Sequence, residues 1–337
     1  MAYGTENQRQ ILMAQEGTPG TVVTTATARW QGPANFIDDG WVVDHVGAKD
    51  NIALRVAGPR MNFPYQLPSL AFPEALATFE QIHYLHECGI KKVQTATADG
   101  GGGSGKIYDY PVDEVTAATT LTMSIQAGDN NAAHIMEYAF PIDWTETWAA
   151  KGSLMVSSNW VGRQKSAATF TSLAYTVSTP VEAMNSPLIY VHDSTIGSGG
   201  ILGTIIGYQF KFNTGIFPNA SASGTTYFYN TIPKTPSFTL SITYEHDSNC
   251  SAEYAKYLAG TPRLVRIKHE GSALTPGTAY SKKTYIKDLG CVYTKFPPAG
   301  AQDGDNIVTA ELSGAWSGAT SDLFAHFTIV NALAALV

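Results

Sequence analysis

Charge is scarce in this chain: Asp, Glu, Lys and Arg make up 15% of its 337 residues, against about 25% in ordinary soluble domains. Thr, Ser, Gly and Ala fill the gap, which fits either a surface largely covered by partners or a Thr-rich β protein. Basic residues are the scarcer sign, 21 against 28 acids for a net charge of −7. The basic footprint of a sequence-reading nucleic-acid binder is therefore missing. Cysteine is nearly absent, and Cys88, Cys250 and Cys291 are odd in number and widely spaced, so no disulfide framework is implied. No run approaches the ~18 apolar residues of a membrane-spanning helix. The opening Met1 to Asn7 lacks the basic and apolar regions of a secretory leader. The expectation is a chain made and kept in a cytosol-like compartment, away from membranes. Apolar residues are plentiful, 44% with 11% aromatic, and the length allows two domains with a core each.

The sequence also says one thing twice. Phe140-Pro141 recurs as Phe296-Pro297, Ser157 as Ser313, Trp160 as Trp316 and Gly162 as Gly318, each at a separation of 156 positions. A second echo, Leu121 to Ile125 against Phe238 to Ile242, has a separation of 117, so the later copy carries about 39 more residues between the echoes. Periods this long exclude a solenoid of short repeats. They predict two fused copies of one domain, 1–165 and 166–337, and such fusion builds a closed ring from fewer chains.

Alternating or β-branched runs predict strands at Asn51 to Val56, Leu121 to Ile125, Leu154 to Ser158, Leu173 to Val177 and Leu188 to Val191. Others lie at Ile201 to Phe212, Thr226 to Tyr229, Phe238 to Tyr244, Arg263 to Ile267, Lys283 to Tyr293, Asn306 to Leu312 and Leu323 to Val330. The expected fold is mainly β: two tandem antiparallel β-sandwiches or partial barrels, each flanked by a helix. One helix is predicted to open at Pro73 and close at Gly89, and a shorter one to run from Ser251 to Leu258.

Motifs with chemical promise lose their force in context. Gly100 to Lys106 matches a phosphate-loop core, but Ile107 stands where a hydroxyl must hold Mg²⁺, and Asp109-Tyr110-Pro111 cannot open a helix. A loop between two strands is the better account. His83 and His86 share a helical face beside Cys88, yet a zinc site needs more ligands, so packing on the sheet is expected. The pairs Asp38/Asp39 and Asp303/Asp305 sit in turn contexts rather than facing across a sugar. Trp144 and Trp148 are candidates for sugar stacking or for interface anchors. No nucleophile elbow or catalytic cysteine signature is present, so no enzyme, metal or cofactor emerges.

Three segments resemble the major tail tube proteins of long, flexible-tailed bacteriophages. They are Gln15-Glu16-Gly17-Thr18-Pro19-Gly20-Thr21 running into Ala28-Arg29-Trp30, the stretch Thr78 to Leu85 closing at Gly89-Ile90, and the strand-loop with Phe140-Pro141 and Trp160-x-Gly162. The resemblance implies packed antiparallel sheets that join edge to edge into rings, and rings that stack into a tube for DNA ejection. Its partners would be further copies of itself and the tape-measure, tail-terminator and distal-tail proteins. Double-stranded DNA would pass through without being specifically bound, and the location would be the virion tail, assembled in the host cytoplasm. Usual members carry one tube domain in a six-fold ring, so duplication implies three chains per ring. An acidic lumen would repel phosphates.

Charge is uneven: residues 1–165 hold 17 acids and 11 bases, and residues 166–337 hold 11 and 10. The basic stretch around Arg263, Arg266 and Lys268 is therefore a candidate to meet acids of a neighbouring subunit across a ring interface. The Gly-rich loop and the N-terminal arm are candidates for contacts between rings. The rival readings are one tube domain with a decoration domain, a carbohydrate-binding or glycan-hydrolysing β-sandwich of a phage tip, and a generic capsid or pilus-like subunit.

Overall fold

Phe238, Leu240, Ile242 and Tyr244 alternate with Thr239, Ser241 and Thr243, and the strand they form buries the first set while turning the second outward. The same two-residue rule recurs along most of the chain and makes the protein mainly β, with two helices among the described residues. The computed structural model describes residues 9–44, 62–93, 95–112, 120–129, 131–170, 181–197, 204–220, 225–302, 304–317 and 322–335.

In chain order come β1 (Gln10–Gln15), β2 (Ala28–Arg29), β3 (Trp41–Asp44), β4 (Asn62–Gln66), β5 (Ser69–Leu76) and helix α1 (Ile82–Gly89). Next are β6 (Thr97–Ala98), β7 (Lys106–Pro111), β8 (Met123–Gly128), β9 (Ala133–Ala149), β10 (Met155–Val161) and β11 (Gln164–Ala168). The later half has β12 (Pro187–His192), β13 (Ile205–Asn213), β14 (Ile216–Asn219), β15 (Asn230–Pro233), β16 (Ser237–Glu245) and helix α2 (Ser248–Leu258). It ends with β17 (Arg263–Ala273), β18 (Lys282–Lys295), β19 (Gly300–Gln302), β20 (Asp305–Gly314) and β21 (Ala325–Asn331).

The strand pairing occurs twice. In the first half β1 pairs β8, β8 pairs β9, β9 pairs both β11 and β10, and β10 pairs β5. In the second half β12 pairs β17, β17 pairs β18, β18 pairs both β21 and β20, and β20 pairs β16. Each helix follows the last-named strand of its set, α1 after β5 and α2 after β16. Residue 165 lies inside β11, so the two sets divide after Ala168.

In each set one long strand serves two sheets. β9 leaves β11 at Glu137 and joins β10 at Phe140, and between them Tyr138 adopts φ 51°. β18 leaves β21 at Leu289 and joins β20 at Cys291. At its crossing point a Cβ on Gly290 would lie 2.4 Å from the Leu323 carbonyl oxygen, so only glycine lets the two strands approach. The result is one central sheet, β5-β10-β9-β13-β16-β20-β18, with β13 stitching the two sets together. Two smaller sheets accompany it, β2-β1-β8-β9-β11 and β12-β17-β18-β21-β7-β6. One continuous apolar core, holding Trp144, Trp160, Phe72, Phe210 and Phe327, runs through both sets. The hairpins β3–β4 and β14–β15 are separate two-stranded ribbons.

Several local expectations need correction. Pro73 does not open a helix but lies within β5, where a missing N–H is tolerated because the β10 pairing bulges there, between Phe72↔Ser158 and Ala75↔Val156. The helix starts after the turn at Thr78 to Gln81. Thr226 to Tyr229 is not a strand; β15 begins at Asn230. The predicted strands at Asn51 to Val56 and Leu173 to Val177 lie outside the described residues. The echo of Leu121 to Ile125 with Phe238 to Ile242 pairs unlike elements, since the former enters β8 and the latter is β16.

Candidate assembly interface

The central sheet ends in two edges. At one end the segment Gln31 to Asp38 touches β5: Asp38 and Ser69 exchange both backbone hydrogen bonds in an isolated antiparallel bridge, and the Asn35 side-chain amide donates to the Ala71 carbonyl at 3.1 Å. Within this segment Phe36 is 41% exposed. At the other end β18 beyond Cys291 and β19 flank β20, and Thr294, Lys295, Pro298, Ala299 and Gly300 are exposed. Pro33 at the first edge and Pro297-Pro298 at the second interrupt the ladder, a common way to keep edges from pairing indiscriminately.

The outward face of this sheet is hydroxyl- and amide-rich. It carries Thr145 and Thr147 on β9, Gln209 and Asn213 on β13, Thr239 and Thr243 on β16, and Thr309 on β20. Acids outnumber bases there, with Glu74, Asp143, Glu245 and Glu311 against Lys211 and Lys295. Asp143 accepts from the Asn159 amide at 2.8 Å, and Glu311 pairs with Lys295 at 3.2 Å.

The two helices differ sharply in cover. All eight residues of α1 are buried, because the second small sheet lies over it; His86 meets Tyr110, Tyr285 and Phe327 at centroid distances of 5.3, 5.6 and 4.9 Å. Of the eleven residues of α2 only Cys250 and Glu253 are buried. Its Tyr254 and Leu258 are 44% and 67% exposed, and Trp316 is 55% exposed.

Of the residues matched at a separation of 156, Ser157 and Ser313 fall on corresponding strands, β10 and β20, but the Trp and Phe-Pro residues do not share surroundings. Trp160 is fully buried in β10 and stacks on Phe72 at 5.3 Å, whereas Trp316 follows β20. Phe140-Pro141 lies inside β9, and Phe140 packs on Phe228 of the segment before β15. Phe296-Pro297 follows β18, and Phe296 packs on Tyr254 and Tyr257 of α2. Gly162 follows β10, where a Cβ would run into Met136; Gly318 lies outside the described residues.

The three basic candidates already have partners within the chain. Arg263 is 3% exposed; its Nη2 donates to Glu253 at 2.6 Å and its Nη1 pairs with Asp193. Arg266 holds Asp288 through two bonds of 2.6 Å, and Lys268 holds Glu270 at 2.6 Å. Reversing Arg263 therefore does not isolate an assembly contact. Arg263→Glu is expected to lower stability by at least about 3 kcal/mol, because it sets three carboxylates together in a buried site. Lys268→Glu, on a partly exposed pair, is expected to cost about 1 kcal/mol or less. Urea unfolding followed by circular dichroism distinguishes them, and equal losses would contradict the burial of Arg263.

Beneath the sheet runs a buried polar chain with no signature in the sequence. Glu146 of β9 accepts from Lys287 Nζ at 2.5 Å, from the Tyr285 hydroxyl at 2.9 Å and from Trp144 Nε1 at 3.1 Å. Lys287 also donates to the Tyr208 hydroxyl at 3.0 Å, Tyr208 lies 2.8 Å from His269 Nε2, and His269 Nδ1 lies 2.6 Å from the Asn185 carbonyl. Both charged side chains are wholly inaccessible. Burial pulls the Lys287 ammonium below its ordinary value, with Glu146 opposing. The pair joins the first pairing set to the second.

His83 and His86 are core residues. Asn331 donates to His83 Nε2 at 2.7 Å, His83 Nδ1 faces the Tyr110 hydroxyl at 3.1 Å, and the Tyr110 hydroxyl donates to Glu87 at 3.0 Å. Burial lowers His83 to about 3, His86 to about 4 and His269 to about 3. Burial also pushes the Cys88 thiol well up. Among the described residues no group of three or more His, Cys, Asp or Glu could hold a metal ion.

The other motifs resolve as follows. The Gly-rich segment joins β6 to β7, and Asp99 accepts from the backbone of Ala279 and Tyr280 at 2.9 and 2.8 Å, docking it on a neighbouring loop. Asp38 closes a turn onto Gly40, Asp39 pairs with Lys165, and Asp303 lies outside the described residues. Trp144 and Trp148 are buried, so neither offers a stacking surface. A cavity of about 680 Å³ is lined by Pro19, Pro111, Tyr138, Pro233 and Lys234 among others, and no lining residue carries a carboxylate. No helix among the described residues is long and apolar enough to cross a membrane. No protein-family model matches this chain, and no curated protein matches it.

Proposed function

We propose that this chain is the structural subunit of a bacteriophage tail tube, a self-assembling conduit for DNA rather than an enzyme. Two fused tube units form each subunit, and three subunits close a pseudo-six-fold ring that stacks into a hollow tube. The observation that carries the reading is the doubled strand pairing, laid along one continuous sheet whose two ends carry no further strand among the described residues. A sheet that continues through both units and offers an unpaired strand at each end is suited to closing by joining further copies. The resemblance of the N-terminal arm, helix segment and strand-loop to tail tube proteins points the same way.

The outward face of the central sheet is the natural lumen. Short hydroxyl and amide side chains with an excess of acids over bases give phosphates no lysine row on which to release counterions, so DNA slides and does not bind. The tape-measure, tail-terminator and distal-tail proteins are the other partners this role requires, in a virion tail assembled in the host cytoplasm.

Negative-stain microscopy of the concentrated protein, with end-on views rotationally averaged, tests the proposal. Hollow tubes with three-fold rings are the expected result. Six-fold rings with outer knobs would overturn the three-chain ring, and filled fibres or closed shells would overturn the conduit.

A further inference from the structure

The chain already contains one completed junction between its two units, and its two ends carry the unmatched halves of another. At the internal junction the C-terminal part of β9 pairs β13 over seven residue pairs, from Gly207↔Ala149 to Asn213↔Asp143, and β13 pairs β16 on its other side. In the first unit the place of β13 is taken by Gln31 to Asp38. That segment follows β1 as β13 follows β12, and it meets β5 where β13 meets β16, though through a single antiparallel bridge, Asp38↔Ser69, and the Asn35 side chain on Ala71 rather than a full ladder. Its outer side has no strand on it among the described residues. In the second unit the place of the C-terminal part of β9 is taken by Thr294 to Gln302, continuing β18 into β19. Among the described residues that stretch pairs with β20 alone.

The helices give a second, independent count. α1 is wholly buried because the next unit's small sheet covers it, while α2 in the corresponding place is bare at Tyr254 and Leu258. Edge and helix lack cover in the same direction, from one unit to the next.

We propose that the internal junction is the template for the junction between chains. Thr294 to Gln302 of one chain docks on Gln31 to Asp38 of a second copy, and α2 is covered by that copy's first small sheet. The seam is head-to-tail, so the two surfaces differ and each chain offers one of each. Burial of Phe36, Tyr254 and Leu258, all 41–67% exposed in the single chain, supplies its apolar part. The inference deepens the tube reading by naming the strands that meet, and rests on it only for the closure of the ring.

A pair of blocked variants tests it. Phe36→Glu damages the head and Leu258→Glu with Ala299→Glu damages the tail, all at exposed positions. Each variant alone is expected to keep the wild-type thermal melt and to associate at least about tenfold more weakly than wild type in sedimentation. Mixed in equal amounts, they are expected to form a particle of two chains and nothing larger, because one sound head remains for one sound tail. The proposal is overturned if the mixture stays monomeric while wild type assembles, or if either variant assembles as wild type does. It is equally overturned if wild type stays monomeric at about 1 mM, where even weak complementary surfaces pair. Tubes built by the blocked variants would reject this seam and keep the conduit; a two-chain particle from variants whose parent forms only open fibres would keep the seam and reject the conduit.

Discussion

Lys287→Met is expected to destabilise the protein by about 3–5 kcal/mol, the range for stripping one partner from a buried ion pair. The carboxylate of Glu146 would remain inaccessible, still accepting from Tyr285 and Trp144 but without the ammonium 2.5 Å away. Methionine fills much of the lysine stem, so the loss reports the charge and not a void. The double variant Glu146→Gln with Lys287→Met is expected to recover at least half of the loss. Glutamine keeps an acceptor for Tyr285 and Trp144, and no uncompensated charge remains. Calorimetric or urea unfolding of the four proteins in the cycle gives the coupling directly. A single variant as stable as wild type would mean the pair is not buried. Because Glu146 and Lys287 lie in different pairing sets, the same loss should loosen the join between the units.

Acid is expected to weaken the fold well before the carboxylates as a class are protonated. Unfolded histidine titrates near 6.5, whereas burial holds His83 and His269 at about 3 and His86 at about 4. Between these values the unfolded chain binds more protons than the folded one, so stability is complete above pH ~6.5 and falls as pH drops. Three such groups give a slope on the order of 4 kcal/mol per pH unit between about pH 5.5 and 4.5. Glu253, whose carboxyl burial pushes upward, works in the opposite direction and trims the slope. Urea midpoints at pH 7.5, 6.0 and 5.0 measure it, and a flat profile would contradict neutral buried rings. His269→Gln keeps hydrogen-bonding groups toward Asn185 and Tyr208 and is expected to remove about one third of the pH dependence.

The sequence determined the class of the fold. Alternation along Phe238 to Tyr244 and Asn306 to Leu312 is a local property, set by which side chains can leave water on one face of a strand, and those strands stand where the pattern puts them. Local chemistry also placed the end of α2 at Leu258, but the helix starts three residues before the predicted Ser251, where the Asp247 carboxylate caps it on Cys250 N. It misplaced the start of α1, since Ser69 to Leu76 satisfies both periods over so short a run, and pairing with β10 decided for the strand.

The repeated strand pairing was not what the matching letters marked. A separation of 156 was read from matching letters, but pairing is fixed by register, and the matched tryptophans ended in different surroundings. Which strands repeat could be seen only once each had found its neighbours. The buried Glu146–Lys287 pair and the neutral histidines left no mark in the sequence either, because an isolated acid in a strand reads as outward until the partner sheet closes over it. The candidate basic stretch shows the converse: Arg263, Arg266 and Lys268 read as free charge until Glu253, Asp288 and Glu270 came within 2.6 Å. Hydrophobic patterning is written residue by residue, but the pairing of edges and of charges depends on distances across the fold, and only the tertiary structure sets those.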